Sequence, residues 1–286
     1  MATLDAQTLT VDALAVVAAA LYLVVGRFLA RRRVSHEARG PLRGFVLWWI
    51  GLGAVSLVGV VLSFFDLAQA SAAVVRIILY AIFLVYIALM VGLLYYLTYL
   101  YTGRSWLVVL SLAYTALFAL LVYIIERENV GKLLSEGYEP VRDVWSLVLT
   151  LAFTAPPLAA ALAYFALIFR VEDRTSRYRI AMVSGGIALW FAYSTIASAL
   201  RFVSGATGQS FAGQVAGQLL GLLAAAMVLL AYLPPSFVRR RFGIVSLADE
   251  MPAEEESPRR QAGMVSLRAP TATEDRSRAR GPPAAS

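Results

Sequence analysis

The stretch Phe211–Phe242, FAGQVAGQLLGLLAAAMVLLAYLPPSFVRRRF, decides the fold class. Residues 211–233 carry no charge, and this run exceeds the roughly 20 apolar residues that a helix needs to cross a bilayer. Pro234 and Pro235 follow, and they end the helix because proline has no backbone N–H to donate. Three arginines, Arg239–Arg241, come next. The stretch therefore predicts a membrane-spanning helix that leaves the bilayer on its basic side.

The composition of the whole chain agrees with a membrane protein. Of 286 residues, 60% are hydrophobic and 15% are charged, with a mean hydropathy of +0.72. A soluble domain carries about 25% charged residues. Cysteine is absent and His36 is the only histidine, which excludes disulfides, thiolate metal sites and paired-histidine haem ligation. We therefore expect no metal and no cofactor.

Arginine accounts for almost all of the basic residues, since Lys132 is the only lysine. With the alanine-rich composition, this bias is typical of a GC-rich bacterial source. The formal net charge of +7 does not predict nucleic-acid binding, because the basic residues of a membrane protein collect on one side of the bilayer.

Seven apolar runs predict an all-α, polytopic membrane protein with a bundle of seven transmembrane helices. The predicted spans are Ala13–Ala30, Gly44–Phe65, Ala72–Tyr101, Trp106–Ile125, Trp145–Phe169, Ile180–Phe202 and Phe211–Leu233. The segment before the first run is acidic and has no basic residue. A signal peptide begins with a basic region, so we expect the first run to be a permanent span.

The charges alternate between the loops and predict the orientation. The loops after spans one, five and seven carry several arginines and the short turn after span three carries Arg104, whereas the intervening segments are acidic, mixed or neutral. The N-terminus is therefore predicted outside and the C-terminus in the cytoplasm, with the protein in the cell inner (plasma) membrane. Trp48 and Trp49 are expected near the membrane interface, as are Tyr95 and Tyr96 at the inner end of span three.

Two domains are predicted, a seven-helix transmembrane domain over residues 1–242 and a disordered cytoplasmic tail over 243–286. The tail is rich in Pro, Ser, Ala, Glu and Arg and has no aromatic residue, so it cannot bury enough apolar surface to fold. GIVSL at 243–247 is repeated as GMVSL at 263–267. The repeat is either a docking strand for a partner's sheet edge or a coincidence.

The longest outer loop, 126–144, is interpreted as a solvated connection or a lid.

Polar side chains gather near the predicted outer leaflet. Two arginines there predict a pocket for a small polar or anionic ligand, with glutamines fixing its orientation. The candidate ligand-binding residues are Arg76, Tyr80, Arg201, Gln214 and Gln218. The alternative is that the arginines extend to lipid headgroups or pair with an acid, while the glutamines bridge helices.

Small and helix-bending residues mark contacts and bends. Gly213, Gly217 and Gly221 recur every fourth residue and predict close helix packing, either within the chain or in a homodimer. The predicted hinges are Pro156, Pro157, Gly185 and Gly186, where the helix ladder is weakest.

The seven spans, the long third span and the exit LPPSFVRRRF resemble the seven-transmembrane sensory region at the N-terminus of some bacterial histidine kinases. The resemblance covers about residues 1–242 and implies a receptor whose last span continues into a cytoplasmic signalling domain. Here no PAS, GAF or kinase module follows, so the resemblance implies that output passes through a separate protein.

No P-loop, dinucleotide fingerprint or nucleophile elbow occurs in a suitable context, and no enzyme activity is expected. The favoured function is a membrane sensor or receptor-like protein that signals through a cytoplasmic partner bound by its tail. One alternative is a small transporter or channel subunit, which predicts ionisable groups at mid-membrane and an internal repeat. Another is a structural or assembly protein that uses the glycine stripe.

Overall fold

The structure is a computed structural model, and it describes residues 6–32, 35–65, 71–127, 144–204 and 210–244. These residues are almost entirely helical, and none of them lies in a β-strand. The long helices are α1 (Ala6–Ala30), α2 (His36–Ser63), α3 (Ala72–Thr102), α4 (Leu107–Arg127), α5 (Val144–Ala166), α6 (Arg174–Ser204) and α7 (Phe211–Tyr232). A 3-10 turn, Leu167–Phe169, follows α5, and the short helix α8 (Ser236–Phe242) follows α7.

The apolar length of these helices defines the class of protein. Six of them are long and apolar enough to cross a membrane, namely α1, α2, α3, α5, α6 and α7. The described apolar part of α4, Leu107–Tyr123, is shorter. A bilayer admits only structures that satisfy their backbone hydrogen bonds internally, and long helices do so. The chain is an all-helical, multi-pass membrane protein.

Several predicted boundaries move because polar residues extend the helices beyond the apolar runs. Helix α1 begins at Ala6 rather than Ala13, and α2 begins at His36 rather than Gly44. Helix α6 begins at Arg174, where Asp173 accepts hydrogen bonds from the backbone N–H groups of Thr175 and Ser176 at 3.3 and 2.7 Å. The first turns of these helices contain polar residues, so hydropathy alone does not show where each helix begins.

The helices pack in chain order into a closed ring, in which α7 returns to pack against α1. Helix α3 also packs against α5, so α4 lies at the periphery and contacts α3 and α5. Residues 128–143 and 205–209, and residues 245–286 of the predicted tail with its repeated motif, lie outside the described residues. The predictions for the outer loop and for the tail therefore stay predictions.

The contacts between helix ends define two ends of the bundle. At the first, which we call the arginine end, Arg32 after α1 and Arg179 on α6 both lie against Tyr232, the last residue of α7. At the second, which we call the Asp12 end, Asp12 on α1 bonds Ser63 at the end of α2. The arginine-rich segments next to α1, α2, α6 and α7 therefore share one end, in agreement with the charge pattern of the sequence.

Candidate functional site

A cavity of about 480 Å³ opens at the Asp12 end between α1, α2, α3 and α7. Its lining is mostly aliphatic and includes four polar side chains, those of Asp12, Ser56, Tyr86 and Gln218. The apolar part of the lining is Val11, Ala15, Val55, Val58, Gly59, Val60, Ala81, Ile82 and Val85. A volume of this size and a few polar groups among apolar walls are typical of small-molecule sites.

The carboxylate of Asp12 gives the cavity its charge. Asp12 lies in the second turn of α1, half-buried, and its Oδ2 accepts a hydrogen bond from the hydroxyl of Ser63 at 2.7 Å. The antiparallel pairing of α1 and α2 brings these two residues together. A carboxylate has lone pairs for several donors, so one hydroxyl leaves it able to accept from a ligand. A cation or a hydrogen-bond donor fits this site, whereas an anion would be repelled.

Gln218 is the predicted site residue that lines this cavity. It is half-buried on α7, across from Asp12, and its amide can both donate and accept hydrogen bonds. Ser56 does not offer its proton to a ligand, because its hydroxyl donates to the carbonyl of Leu52 at 2.9 Å. Among the described lining residues, the polar groups that remain for a ligand are the Asp12 carboxylate, the Gln218 amide and the Tyr86 hydroxyl.

Three other predicted ligand residues, Tyr80, Arg76 and Gln214, are not among the described residues that line this cavity. Tyr80 on α3 packs against Leu121 of α4, in a group that also contains Phe83, Leu117, Phe118 and Phe153. Arg76 is half-buried one turn before Tyr80, and Gln214 is exposed one turn before Gln218. The side chain of Arg201 lies outside the described residues. The structure thus places Gln218 in the lining of the Asp12 cavity and Tyr80 against α4.

The glycine stripe of α7 packs against aromatic rings of the same chain. A Cβ built on Gly213 would lie 3.7 Å from the hydroxyl oxygen of Tyr193, and a Cβ on Gly217 would lie 3.8 Å from Cε1 of the same ring. A Cβ on Gly221 would overlap the Tyr22 hydroxyl and lie 3.2 Å from Cζ2 of Trp190. The stripe therefore provides room for large side chains of α1 and α6.

The predicted hinge residues lie in unbroken helices. Helix α5 continues through Pro156 and Pro157, and α6 continues through Gly185 and Gly186. Gly186 also marks a close helix contact, since its Cβ would lie 3.2 Å from Cα of Ala224 on α7. A hinge function of these residues stays a prediction.

A buried aromatic cluster fills the middle of the bundle and continues to the arginine end. Phe45 and Tyr96 stack with ring centroids 4.2 Å apart, and Trp48 and Trp49 lie 4.5 Å apart at 70°. Tyr22, Trp190 and Phe191 complete the cluster. Trp48 and Trp49 are 1% and 0% exposed, so both rings pack inside the bundle, and their predicted depth near the membrane interface stays a prediction.

At the arginine end, the hydroxyl of Tyr232 joins three helices. It accepts a hydrogen bond from Nη1 of Arg32 at 3.1 Å and shares another with the Tyr96 hydroxyl at 3.4 Å. The Arg32 and Arg179 guanidinium carbons lie 4.8 and 5.8 Å from the centre of the Tyr232 ring, within cation–π range. Sequence reasoning missed this contact because it interpreted Arg32 only as a topology marker. No signal in the sequence pairs Arg32 with a residue two hundred positions later.

The described residues contain no group of three His, Cys, Asp or Glu side chains that could hold a metal ion. Comparisons with protein-family models, with curated proteins and with solved structures find no match to this chain.

Proposed function

We propose that this chain is a sensor or receptor-like protein of the plasma membrane, with seven spans, its N-terminus outside and its C-terminus in the cytoplasm. The arginine end then faces the cytoplasm, and the Asp12 cavity opens toward the outside. The observation that carries the proposal is the cavity itself, an apolar chamber between four helices with a carboxylate and an amide on facing helices.

The ligand class follows from the lining. Aliphatic walls favour an apolar body, and Asp12 with Gln218 favours a head that donates hydrogen bonds or carries a positive charge. The sequence predicted a polar or anionic ligand between Arg76 and Arg201. An anion in this cavity would face the Asp12 carboxylate, so we propose a small amphiphile with a cationic or neutral donor head instead.

A route for output is supported by the packing between the two ends. Gln218 is followed one turn later by Gly221, which contacts Tyr22, and Tyr22 packs on Trp49 with ring centroids 5.5 Å apart. The aromatic cluster continues through Phe45 to Tyr96 and Tyr232, next to α8. Contiguous packing of this kind can couple two distant sites energetically when one of the packed helices or side chains has two arrangements. The resemblance to sensory regions of bacterial histidine kinases supports output to a separate cytoplasmic protein through the tail.

The alternatives have less support. A transporter or channel needs a path, and aromatic rings with little exposure fill the bundle between its two ends. An assembly protein that uses the glycine stripe loses its distinguishing feature, because Gly217 and Gly221 face Tyr193 and Tyr22 of the same chain. We propose no enzyme activity and no nucleic-acid partner.

The test measures the melting temperature of the purified full chain in detergent with hexylamine, hexanol or hexanoate. We expect hexylamine to stabilise the protein most and hexanoate least. Asp12→Asn should remove the preference for the amine, and Gln218→Leu should weaken the effect of both amine and alcohol. Gln214→Leu is the matched control, since Gln214 lies one turn away and outside the lining. Equal responses of all variants to the amine would refute the cavity as the site.

A second measurement separates sensor from transporter. Affinity purification from membranes of the source organism compares the full chain with a truncation after Arg241. A signalling protein that is lost with the tail supports the sensor. A transporter would be favoured if the full chain and the truncated chain captured the same partners and the protein carried amine across the membrane of proteoliposomes.

A further inference from the structure

A second cavity, of about 850 Å³, lies at the arginine end between the end of α1 and the start of α2. The described residues that line it include four arginines and no acidic residue. The arginines are Arg31, Arg32, Arg39 and Arg43, and the remaining lining is Ala30, Leu42, Val46 and Leu47. We propose that this cavity binds the phosphate headgroup of an anionic phospholipid.

The helix geometry gathers the charges on one surface. Arg39 and Arg43 are four residues apart on α2, so their side chains share one face. Arg31 and Arg32 directly follow α1, which packs against α2. Arg31, Arg39 and Arg43 are exposed, and guanidinium groups bind phosphate through paired charge-assisted hydrogen bonds. The four cations thus converge on a single cavity from two helix ends.

The apolar part of the lining favours a lipid over a soluble phosphate compound. Val46 and Leu47 continue the Arg39–Arg43 face about one turn, roughly 6 Å, further along α2 toward the middle of the bundle. Leu47 is 62% exposed, so an occupant of the cavity meets charge first and aliphatic surface next. A phospholipid has this order of groups, with its phosphate at the headgroup level and its acyl chains below.

The site also borders the tyrosine contact described above. Arg32 lines the cavity and donates to the Tyr232 hydroxyl. A bound headgroup would therefore contact the same guanidinium that holds the end of α7. This lipid site depends on the residues at the arginine end and is independent of the Asp12 cavity and its ligand.

The experiment titrates the full-length protein in detergent with phosphatidylglycerol or phosphatidylcholine and measures bound lipid by native mass spectrometry. Arg39→Gln with Arg43→Gln should weaken phosphatidylglycerol binding about tenfold or more, because the two guanidinium groups would bond the phosphate directly. The matched control is Arg240→Gln with Arg241→Gln. It removes the same charge from α8, outside the cavity, and should weaken binding less than about twofold.

Three results would overturn the proposal. Equal weakening by both pairs would show general charge attraction. Equal binding of the two lipids to the unaltered protein would show that the site has no preference for an anionic headgroup. Displacement of the lipid by glycerol 3-phosphate at matching concentrations would assign the site to soluble phosphates. If the Arg39/Arg43 variant does not fold, the unaltered protein still tests the proposed lipid site. Phosphatidylglycerol must then raise its melting temperature above that in phosphatidylcholine, and no difference would refute the site.

Discussion

Gly44 of α2 and Gly92 of α3 lie backbone against backbone. A Cβ built on Gly44 would lie 2.8 Å from the carbonyl oxygen of Gly92, and a Cβ on Gly92 would lie 2.7 Å from the carbonyl oxygen of Gly44. No pair of residues larger than glycine fits this separation. In membranes such close approaches drive helix association, because lipid leaves little hydrophobic gain from burying side chains.

Gly44→Ala and Gly92→Ala should each destabilise the protein, by about 1–3 kcal/mol, since the backbones of α2 and α3 must move apart. Gly59→Ala on the same helix is the control, because its Cβ would meet no atom within 4 Å. Thermal unfolding in detergent measures the difference. Equal melting temperatures for Gly44→Ala and Gly59→Ala would contradict the close crossing of α2 and α3.

The glycine stripe should show a gradient of sensitivity along α7. Gly217→Ala should be tolerated, since its Cβ makes an ordinary contact with Tyr193 at 3.8 Å. Gly221→Ala should destabilise by about 1–3 kcal/mol because the Tyr22 hydroxyl and Trp190 occupy the space. Adding Tyr22→Phe to Gly221→Ala should recover part of the loss. If Gly221→Ala is as stable as Gly217→Ala, Gly221 does not pack against Tyr22.

The hydroxyl of Tyr232 should contribute to stability. Tyr232→Phe removes the acceptor for Arg32 and the partner of Tyr96, and we expect a loss of about 1 kcal/mol. Combining Tyr232→Phe with Arg32→Gln should cost less than the sum of the two single changes, because both remove one interaction. Tyr101→Phe is the control at an exposed position of the same end. Additive losses in the double variant would argue against the Arg32–Tyr232 hydrogen bond.

The start of α6 should depend on pH through Asp173. The hydroxyl and backbone N–H of Ser176, followed by the backbone N–H of Thr175, bond the carboxylate and lower its pKa below the ordinary value of 3.8. A lowered pKa in the folded state means that Asp173 stabilises the protein above pH 3.8, and that this contribution is lost as pH falls through the folded-state pKa.

The difference in melting temperature between the unaltered chain and Asp173→Asn should therefore shrink as the pH is lowered from 7 to 3. Asparagine keeps the cap but does not titrate. Glu172→Gln at the neighbouring exposed position is the control and should leave the pH profile in place. A constant difference across this range would show that the carboxylate of Asp173 is not held by the turn.

The helices themselves could be predicted from the sequence, within several residues at polar ends. Apolar runs such as 72–101 and 211–233 match α3 and α7 to within one residue. The reason is physical, because apolar runs of this length fold into helices in a bilayer whatever their neighbours are. The arginines of Arg31–Arg33 and Arg239–Arg241 likewise indicated a common end of the bundle, since charge cannot cross the hydrocarbon cheaply.

The sequence could not show which helix faces meet, and only the tertiary structure decided that. A span is apolar on every side, so no polar stripe distinguishes the lipid face from the buried face. Tyr80 packs on Leu121 while Gln218 lines the cavity that contains Asp12, although the sequence predicted Tyr80 and Gln218 in one pocket. Trp48 and Trp49 are buried among other aromatic rings, and Gly44 and Gly92, rather than the glycines of the α7 stripe, bring two backbones together. Helix composition is a local property, whereas these contacts depend on the rotation and crossing of helices that are distant in the chain.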